Sequence, residues 1–313
     1  MENGISVIIP TYNRAKFLEK TIPTYLQEGV AELILVDDCS TDHTGEVAHA
    51  LQKKYPQIRY YRNERNLRQT GAKNRALSLV TQPYVYFGDD DSVLLPGTIP
   101  YLFEQMQRVG ADVMGAVPIY AKCDADMENL TDLICREAPF IHDLSDKVNV
   151  AHLEKTDFFF RMGIGEGEPV RVPFTHACAL VKVACMGEAH FDTGFGGNSY
   201  REETDFWCQL GEKGYQIYFA ASSHAAQINL PFETIGRKRS FRSMWRHGKW
   251  DIVNTLRLIE KHHAYFHDVW GYPHGKRYMK IAYVFNDCLM YLGILPSRLW
   301  GMLLRRMRRG NMR

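Results

Sequence analysis

Residues 5–14 read Ile-Ser-Val-Ile-Ile-Pro-Thr-Tyr-Asn-Arg. The segment 5–9 is short, largely apolar and stopped by Pro10, which predicts a buried strand. Working outward, 33–36 is a second buried strand that stops at Asp37-Asp38, 58–61 a third, and 84–87 a fourth that ends at Gly88 and Asp89-Asp90-Asp91. Between them, 15–26, 42–54 and 71–80 carry apolar residues at helical spacing. Strands alternating with helices predict an α/β fold: a mostly parallel sheet with flanking helices. After residue 118 the pattern loosens. A strand is expected at 177–183, a glycine-rich loop at 194–198, a helix at 202–212, a strand at 216–220 and largely helical structure from 241 onward. The expected division is 1–118, 119–235 and 236–313.

Ligands of an open α/β sheet collect beyond the carboxyl ends of its strands. Three polar clusters lie at such ends: Pro10-Thr11-Tyr12-Asn13-Arg14, Asp37-Asp38 and Asp89-Asp90-Asp91. Together with Arg68 and Lys73 they offer a ring to stack on, carboxylates for ribose or base donors, carboxylates for a cation, and positive charge. That set suits a nucleoside diphosphate. Hard cations such as Mg²⁺ and Mn²⁺ prefer carboxylate oxygens, and Asp89 and Asp91, as alternate residues of an extended segment, point the same way. The sequence has no G-x-x-x-x-G-K-[ST] and no G-x-G-x-x-G after the first strand, which argues against a phosphate-loop NTPase and a nicotinamide dehydrogenase. It also lacks a G-x-S-x-G elbow.

The chain has 313 residues, with Lys+Arg 38 against Asp+Glu 36 and a formal net charge of +2. The charge is unevenly placed. Residues 296–313 hold six arginines and no acid, so the preceding body is net −4. An acidic body argues against general nucleic-acid binding. On a helical projection, Leu299, Trp300, Leu303, Leu304 and Met307 share one arc of about 140° and most arginines fill the rest, as in an interfacial membrane helix. The seven cysteines are odd in number and have no C-x-x-C spacing, which predicts reduced thiols in a cytoplasmic protein. Neither a signal peptide nor an apolar run of membrane-spanning length is expected. Phe206, Trp207 and Tyr215 are expected to pack the helix at 202–212, and Phe158–Phe160 to be core. His176 stands where it could meet substrate, and His262, His263 and His267 mark a solvated helix end.

The segments 6–14, 36–42 and 89–91 resemble the opening motifs of family 2 glycosyltransferases. Gly187 through Phe191-Asp192, Arg201-Glu202-Glu203-Thr204-Asp205-Phe206 and Gly211–Tyr215 resemble that family's later motifs, in order and at matching spacing over about residues 4–225. The resemblance implies a GT-A fold with a C-terminal helical extension. It also implies an inverting transfer from a nucleotide-diphospho-sugar to an acceptor hydroxyl of a glycan or a lipid-linked molecule, in polysaccharide or cell-envelope synthesis. The nucleotide would be held by Pro10, Thr11, Tyr12, Arg14, Asp38, Arg68, Lys73, Asp89 and Asp90. The D-x-D pair Asp89 and Asp91 would hold Mn²⁺ or Mg²⁺, with His224 as a further ligand, although by strict spacing Gln227 takes the family's histidine position. Glu203 falls at the catalytic base, with Glu202 and Asp205 as alternatives. A carboxylate near the base and a stacked tyrosine favour UDP; GDP and dTDP donors stay open. The tail would place the enzyme peripherally on the inner face of the cytoplasmic membrane. Two rival functions are a nucleotidyltransferase of related fold, whose glycine-rich signature Pro10–Arg14 lacks, and a non-catalytic nucleotide- or glycan-binding module.

Overall fold

A computed structural model describes residues 4–134, 168–231 and 241–291, without the side chains of 241–245 and 286–291. The aromatic triplet at 158–160 and the basic tail at 296–313 lie outside the described residues. The described chain forms two compact units: 4–134, 168–195 and 201–231 in the first, 196–200 and 241–291 in the second.

The first unit is built on an eight-stranded sheet. Its strands are β1 (Ile5–Thr11), β2 (Val30–Asp37), β3 (Ile58–Arg62), β4 (Tyr84–Phe87), β6 (Val113–Gly115), β8 (Val170–Arg171), β9 (Ala179–Lys182) and β10 (Ile217–Phe219). Their order is β3-β2-β1-β4-β9-β6-β10-β8. Strands β1 to β4 pair in parallel, as do β6 and β10, whereas β9 runs antiparallel to both β4 and β6. A second sheet holds β5 (Ser92–Leu94), β11 (Ala226–Asn229) and β7 (Val117–Tyr120) in the order β5-β11-β7. The helices of this unit are α1 (Ala15–Thr21), α2 (Thr44–Lys54), α3 (Arg68–Leu77), α4 (Thr98–Val109) and α5 (Glu202–Glu212), besides short turns at Asp124–Glu128 and Val183–Met186. The expected α/β architecture is thus present, with a mixed far half of the sheet.

Local chemistry explains where the elements depart from expectation. The helix expected over 15–26 stops at Thr21 and continues as a 3₁₀ turn, Ile22–Tyr25, because Pro23 supplies no N–H to an α-helical ladder. The helix expected at 71–80 is shifted to 68–77. Helix α4 was not anticipated, although Ile99, Leu102 and Met106 bury one face of it and left-handed Gly97 and Gly110 bracket it. Ile5, Val7 and Ile9 of β1, Leu33 and Leu35 of β2, and Tyr86 of β4 pack into one core with Leu18, Ile22 and Leu102.

The second unit contains α6 (Phe241–Ala264), a π-helical turn at Tyr265–Val269 and α7 (Lys276–Tyr291). Helix α6 holds the glycine-rich loop. Asn254 Nδ2 donates to the Gly196 carbonyl at 3.0 Å and Asn198 Nδ2 to Asp251 at 2.7 Å. Gly197, at φ +65°, lies so close to the Trp250 ring that a Cβ there would sit 2.1 Å from it. His262 is buried rather than solvated, while His263 donates to the His274 carbonyl and stacks on His267. The five described cysteines, 39, 123, 178, 185 and 208, are free thiols. Among the described residues no helix is long and apolar enough to cross a membrane.

Candidate active site

The carboxyl ends of β1, β2 and β4 are adjacent, and their backbones are stitched together there. Asp38 N donates to the Thr11 carbonyl at 2.8 Å, and Gly88 N to the Ile8 carbonyl at 3.0 Å. The turn after β1 is locked to the one after β2: Asn13 N donates to Ser40 Oγ at 2.8 Å, and Asn13 Oδ1 accepts from Thr41 N at 2.8 Å. Asn13 takes a left-handed φ of +54° to do so. This turn leaves Tyr12 45% exposed beside the buried Thr11 and partly buried Pro10.

Asp37 is internal structure, accepting from Ser40 N, Tyr60 Oη and Arg62. Asp38 is also buried, and its Oδ1 accepts from Asn63 Nδ2 at 2.9 Å and Leu67 N at 2.8 Å. One oxygen of Asp38 therefore shapes the loop that launches α3. Arg68, the first residue of α3, is exposed and sits at φ +62°, with its N–H donating to Asn66 Oδ1. A non-glycine residue held in that region costs about 1–3 kcal/mol and marks a place the surroundings over-determine.

The acidic triplet is pinned through its backbone. Tyr25 Oη donates to the Asp89 carbonyl at 3.1 Å and accepts from Asp89 N at 3.2 Å, and Thr21 Oγ1 donates to the Asp90 carbonyl at 3.1 Å. Leu230 N, just past β11, donates to the Asp91 carbonyl at 2.9 Å. Gly88 makes room for this clamp, since a Cβ there would lie 2.8 Å from the Tyr25 ring. With the backbone fixed, the carboxylates are held close to one another and to Arg14. Its Nε lies 3.4 Å from Asp90 and its Nη2 3.7 Å from Asp91. Burial, aided by the neighbouring carboxylates, raises Asp89 to about 6 against the pull of Lys73. Burial and Asp91 raise Asp90 to about 7 against the pull of Arg14. The cluster is short of positive charge.

That deficit is the test of fit for a divalent cation. The donors are hard carboxylate oxygens, as Mg²⁺ and Mn²⁺ require. Among the described residues no group of three or more His, Cys, Asp or Glu side chains could enclose a metal. A site with one or two protein carboxylates, completed by substrate phosphates and water, matches the usual way Mg²⁺ is bound. The β11 side chain that reaches Asp89 is Gln227. Its Nε2 donates to Asp89 Oδ2 at 2.8 Å while its Oε1 accepts from Tyr86 Oη at 3.1 Å. His224 is exposed at the start of this segment, with its ring centroid 5.9 Å from that of Tyr101 on α4.

The second half of the site is the first turn of α5. Phe191 stacks on Phe206 with ring centroids 4.5 Å apart, and Phe87, the residue before Gly88, meets Phe191, Phe206 and Trp207 edge-on. Trp207 Nε1 donates to the His176 carbonyl at 3.2 Å, and Asn74 of α3 makes two 2.8 Å bonds with the Phe191 backbone. This packing ties α5 to β4 and α3, and so fixes its acidic first turn relative to Asp89. Asp205 is buried and accepts from Gln209 Nε2 at 2.7 Å. Lys73, buried in α3, donates to Glu203 at 2.6 Å and to Glu202 at 2.9 Å, so this ammonium is committed to two carboxylates. Burial opposes its charge, but the two glutamates more than offset that and raise its pKa. Glu202 is fully buried and its carboxyl is raised by that burial, whereas Glu203, 22% exposed, is lowered by Lys73 despite its own burial. Of the two, Glu203 is the ionised and solvent-reaching one. Burial pushes His176 down to about 4, so it is neutral near pH 7, and Glu203 is among the charges it feels.

The structure thus brings Tyr12, Arg14, Asp38, Asp89, Asp90 and Asp91 to one sheet edge, and joins Lys73 to Glu202 and Glu203. Tyr25 and Tyr86 were not anticipated, and a lone buried tyrosine in a core pattern carries no sequence signal for such a role.

Comparison with known proteins agrees with this arrangement. A model of glycosyl transferase family 2 matches residues 6–166. The chain is 37% identical over 223 residues to the GalNAc(5)-diNAcBac-PP-undecaprenol β-1,3-glucosyltransferase of Campylobacter jejuni, covering 69% of this chain and 62% of that one. It is 33% identical over 116 residues to glycosyltransferase GlyG of Streptococcus pneumoniae, covering 36% and 38%. The matches therefore span less than two thirds of either relative. Among solved structures, the mannosyltransferase of Pyrobaculum calidifontis in complex with GDP-Man and Mn²⁺ superposes with a TM-score of 0.58 at 13% identity, over 99% of this chain and 81% of that one. TarS 1–349 of S. aureus in complex with UDP gives 0.50 at 17% identity, over 82% and 70%. The fold is shared with both. With a family model matched across half its length, the chain belongs to glycosyl transferase family 2.

Proposed function

We propose that this protein transfers a sugar from a nucleotide-diphospho-sugar to an acceptor hydroxyl with inversion, dependent on Mn²⁺ or Mg²⁺. The observation that carries the reading is the pairing of an electron-rich, charge-deficient triplet at the end of β4 with an ionised, partly exposed Glu203 fixed to the same strand by the Phe87–Phe191–Phe206 packing. UDP is the favoured nucleotide: Tyr12 offers an exposed face for a base, and Asp38 is bonded through its backbone to the neighbouring Thr11. The half 1–118 would hold the donor, 119–235 the acceptor, and 236–313 would be an accessory helical region. The name of the Campylobacter relative supports a glycan carried on a lipid diphosphate as acceptor, in cell-envelope glycan synthesis. The six arginines of 296–313 support a peripheral position on the inner face of the cytoplasmic membrane.

Each residue then has a task. Pro10, Thr11 and Tyr12 line the base, Asp38 accepts from it, Asp89 and Asp90 face the ribose and diphosphate, and Arg14 and Arg68 bring positive charge to the phosphates. Asp91, with Asp89, would hold the cation. That cation, when bound, neutralises the charge building on the diphosphate leaving group. Gln227 fixes the Asp89 carboxylate through its amide, a place the resemblance gave to a histidine and for which His224 was the candidate. Glu203 takes the proton of the acceptor hydroxyl as that oxygen attacks the anomeric carbon opposite the leaving group. Lys73 keeps Glu203 ionised, and Glu202 and Asp205 support the same turn. A thermal-shift screen of nucleotide-sugars with Mn²⁺ and Mg²⁺ tests the reading. A nucleoside-diphospho-sugar that stabilises the chain only with the cation supports it. Stabilisation by a nucleoside triphosphate with a sugar phosphate would favour a nucleotidyltransferase, and binding without donor turnover a non-catalytic module.

A further inference from the structure

Helix α7 turns two unlike faces to its surroundings. Met279 and Tyr283 are buried, and Lys276 Nζ reaches Glu260 on α6 at 3.0 Å, with Lys280 on the same carboxylate. About 100° per residue puts Arg277, Tyr278, Ile281 and Phe285 within one arc of about 100° on the opposite side. Tyr278 is 51% exposed, Ile281 64% and Phe285 63%. Three large apolar side chains in one row on the outside of a helix make a contiguous patch of the size that is often functional.

Two observations say what covers them. First, the row is too small for a stable contact between proteins. Three such side chains at half exposure or a little more offer roughly 300 Å², against about 800 Å² per partner in a typical stable interface. Insertion into a lipid interface requires no such area, only a few aromatic and aliphatic groups beside cations. Second, the charge within the arc is positive. Arg277 is exposed within the arc, and the sequence after α7 carries six arginines and no acid over 296–313. A tyrosine, a phenylalanine and an isoleucine beside Arg277, on a helix followed in sequence by further arginines, match the border between acyl chains and anionic headgroups.

We infer that the outward face of α7, formed by Arg277, Tyr278, Ile281 and Phe285, is a docking surface for an anionic lipid bilayer. This rests on the peripheral position proposed above and gives it a face among the described residues. Arg277 supplies attraction to the headgroups, and Ile281 and Phe285 supply insertion.

The test is co-sedimentation of the full chain with vesicles of phosphatidylcholine alone and of phosphatidylcholine with phosphatidylglycerol. The Ile281→Ser/Phe285→Ser double variant and Val269→Ser, a control at an exposed valine outside α7, run alongside the parental chain. Circular dichroism and a thermal melt establish that the variants are folded. The expected result is binding to the phosphatidylglycerol vesicles only, lowered by at least about tenfold in the double variant because two inserting side chains are lost, and unchanged in Val269→Ser. Undiminished binding by a folded double variant would overturn the face while leaving the tail as the anchor. Absence of parental binding to anionic vesicles would overturn both the face and the peripheral position. A parental dimer that the double substitution dissociates would reassign the face to a second copy of the chain and overturn the lipid proposal.

Discussion

Replacing Lys73 with methionine removes the one ammonium that Glu202 and Glu203 share, at 2.9 and 2.6 Å. At an effective dielectric of about 20, the contact with the ionised Glu203 is worth roughly 6 kcal/mol of Coulomb attraction. The variant does not lose that much, because a carboxylate stranded in this position takes up a proton instead. Glu202 is raised already, so the added cost is that of neutralising Glu203. From its ordinary value of 4.5 to pH 7 that is about 3 kcal/mol, and to pH 5 about 1 kcal/mol. The direction follows from linkage. With Lys73 present, the lowered Glu203 contributes stability above its unfolded value, and that contribution is lost as pH falls through the folded one. Without Lys73 the group is raised, and stability is instead lost as pH rises. The gap between parental and variant chains must therefore widen from acid to neutral pH. Urea denaturation at pH 5 and pH 7 measures it, and about 3 kcal/mol corresponds to a fall of about 6–12 °C in Tm at pH 7. Adding Glu203→Gln to the variant should recover most of the loss. A Lys73→Met chain as stable as the parental one at pH 7, or a deficit that grows on acidification, would refute the ion-pair account.

Other outcomes follow from the same geometry. Glu203→Gln should lower transfer by about 10²–10⁴-fold while nucleotide affinity, measured by titration calorimetry, stays within about twofold, because a base acts on the acceptor and not on the donor. Asp91→Ala should abolish the gain in nucleotide affinity that Mn²⁺ brings in the parental chain; an unchanged gain would remove Asp91 from the cation site. Because Asp89 is raised to about 6 and must be ionised to hold a cation, Mn²⁺ affinity should weaken by about tenfold per unit as pH falls below 6, with proton release on binding seen as buffer-dependent heat. Gly88→Ala should cost about 1–3 kcal/mol in denaturation, since its methyl group would stand 2.8 Å from the Tyr25 ring that clamps Asp89.

The sheet edge was legible from the sequence because its signal is local. In 5–14, 33–38 and 84–91 a buried apolar run switches to polar residues within one or two positions, and that switch marks both the strand end and the site. Helix α4 carries an equally local signal in Ile99, Leu102, Met106 and Gly110, but no polar motif stands beside it to mark it. The four-residue strands β7 and β11 offer little periodicity, since pairing with each other, and of β11 with β5, defines them. The contacts within the candidate site are not legible in the sequence for a different reason. Lys73 meets Glu202 across 129 positions and Gln227 meets Asp89 across 138. A sequence shows that such charges exist, whereas burial and the fold decide which ones meet. Lys73 read as a cation for phosphate, and the fold gave it two glutamates.

The central claim is that the triplet at the end of β4 and Glu203 together turn over a nucleotide-sugar. The most direct measurement is release of UDP from UDP-sugars by the full chain, with Mn²⁺ and after chelation, in parental and Glu203→Gln proteins. The account predicts release with Mn²⁺ that chelation stops and that the variant loses while still binding donor. Release that survives chelation, or a Glu203→Gln chain as fast as the parental one, would contradict it.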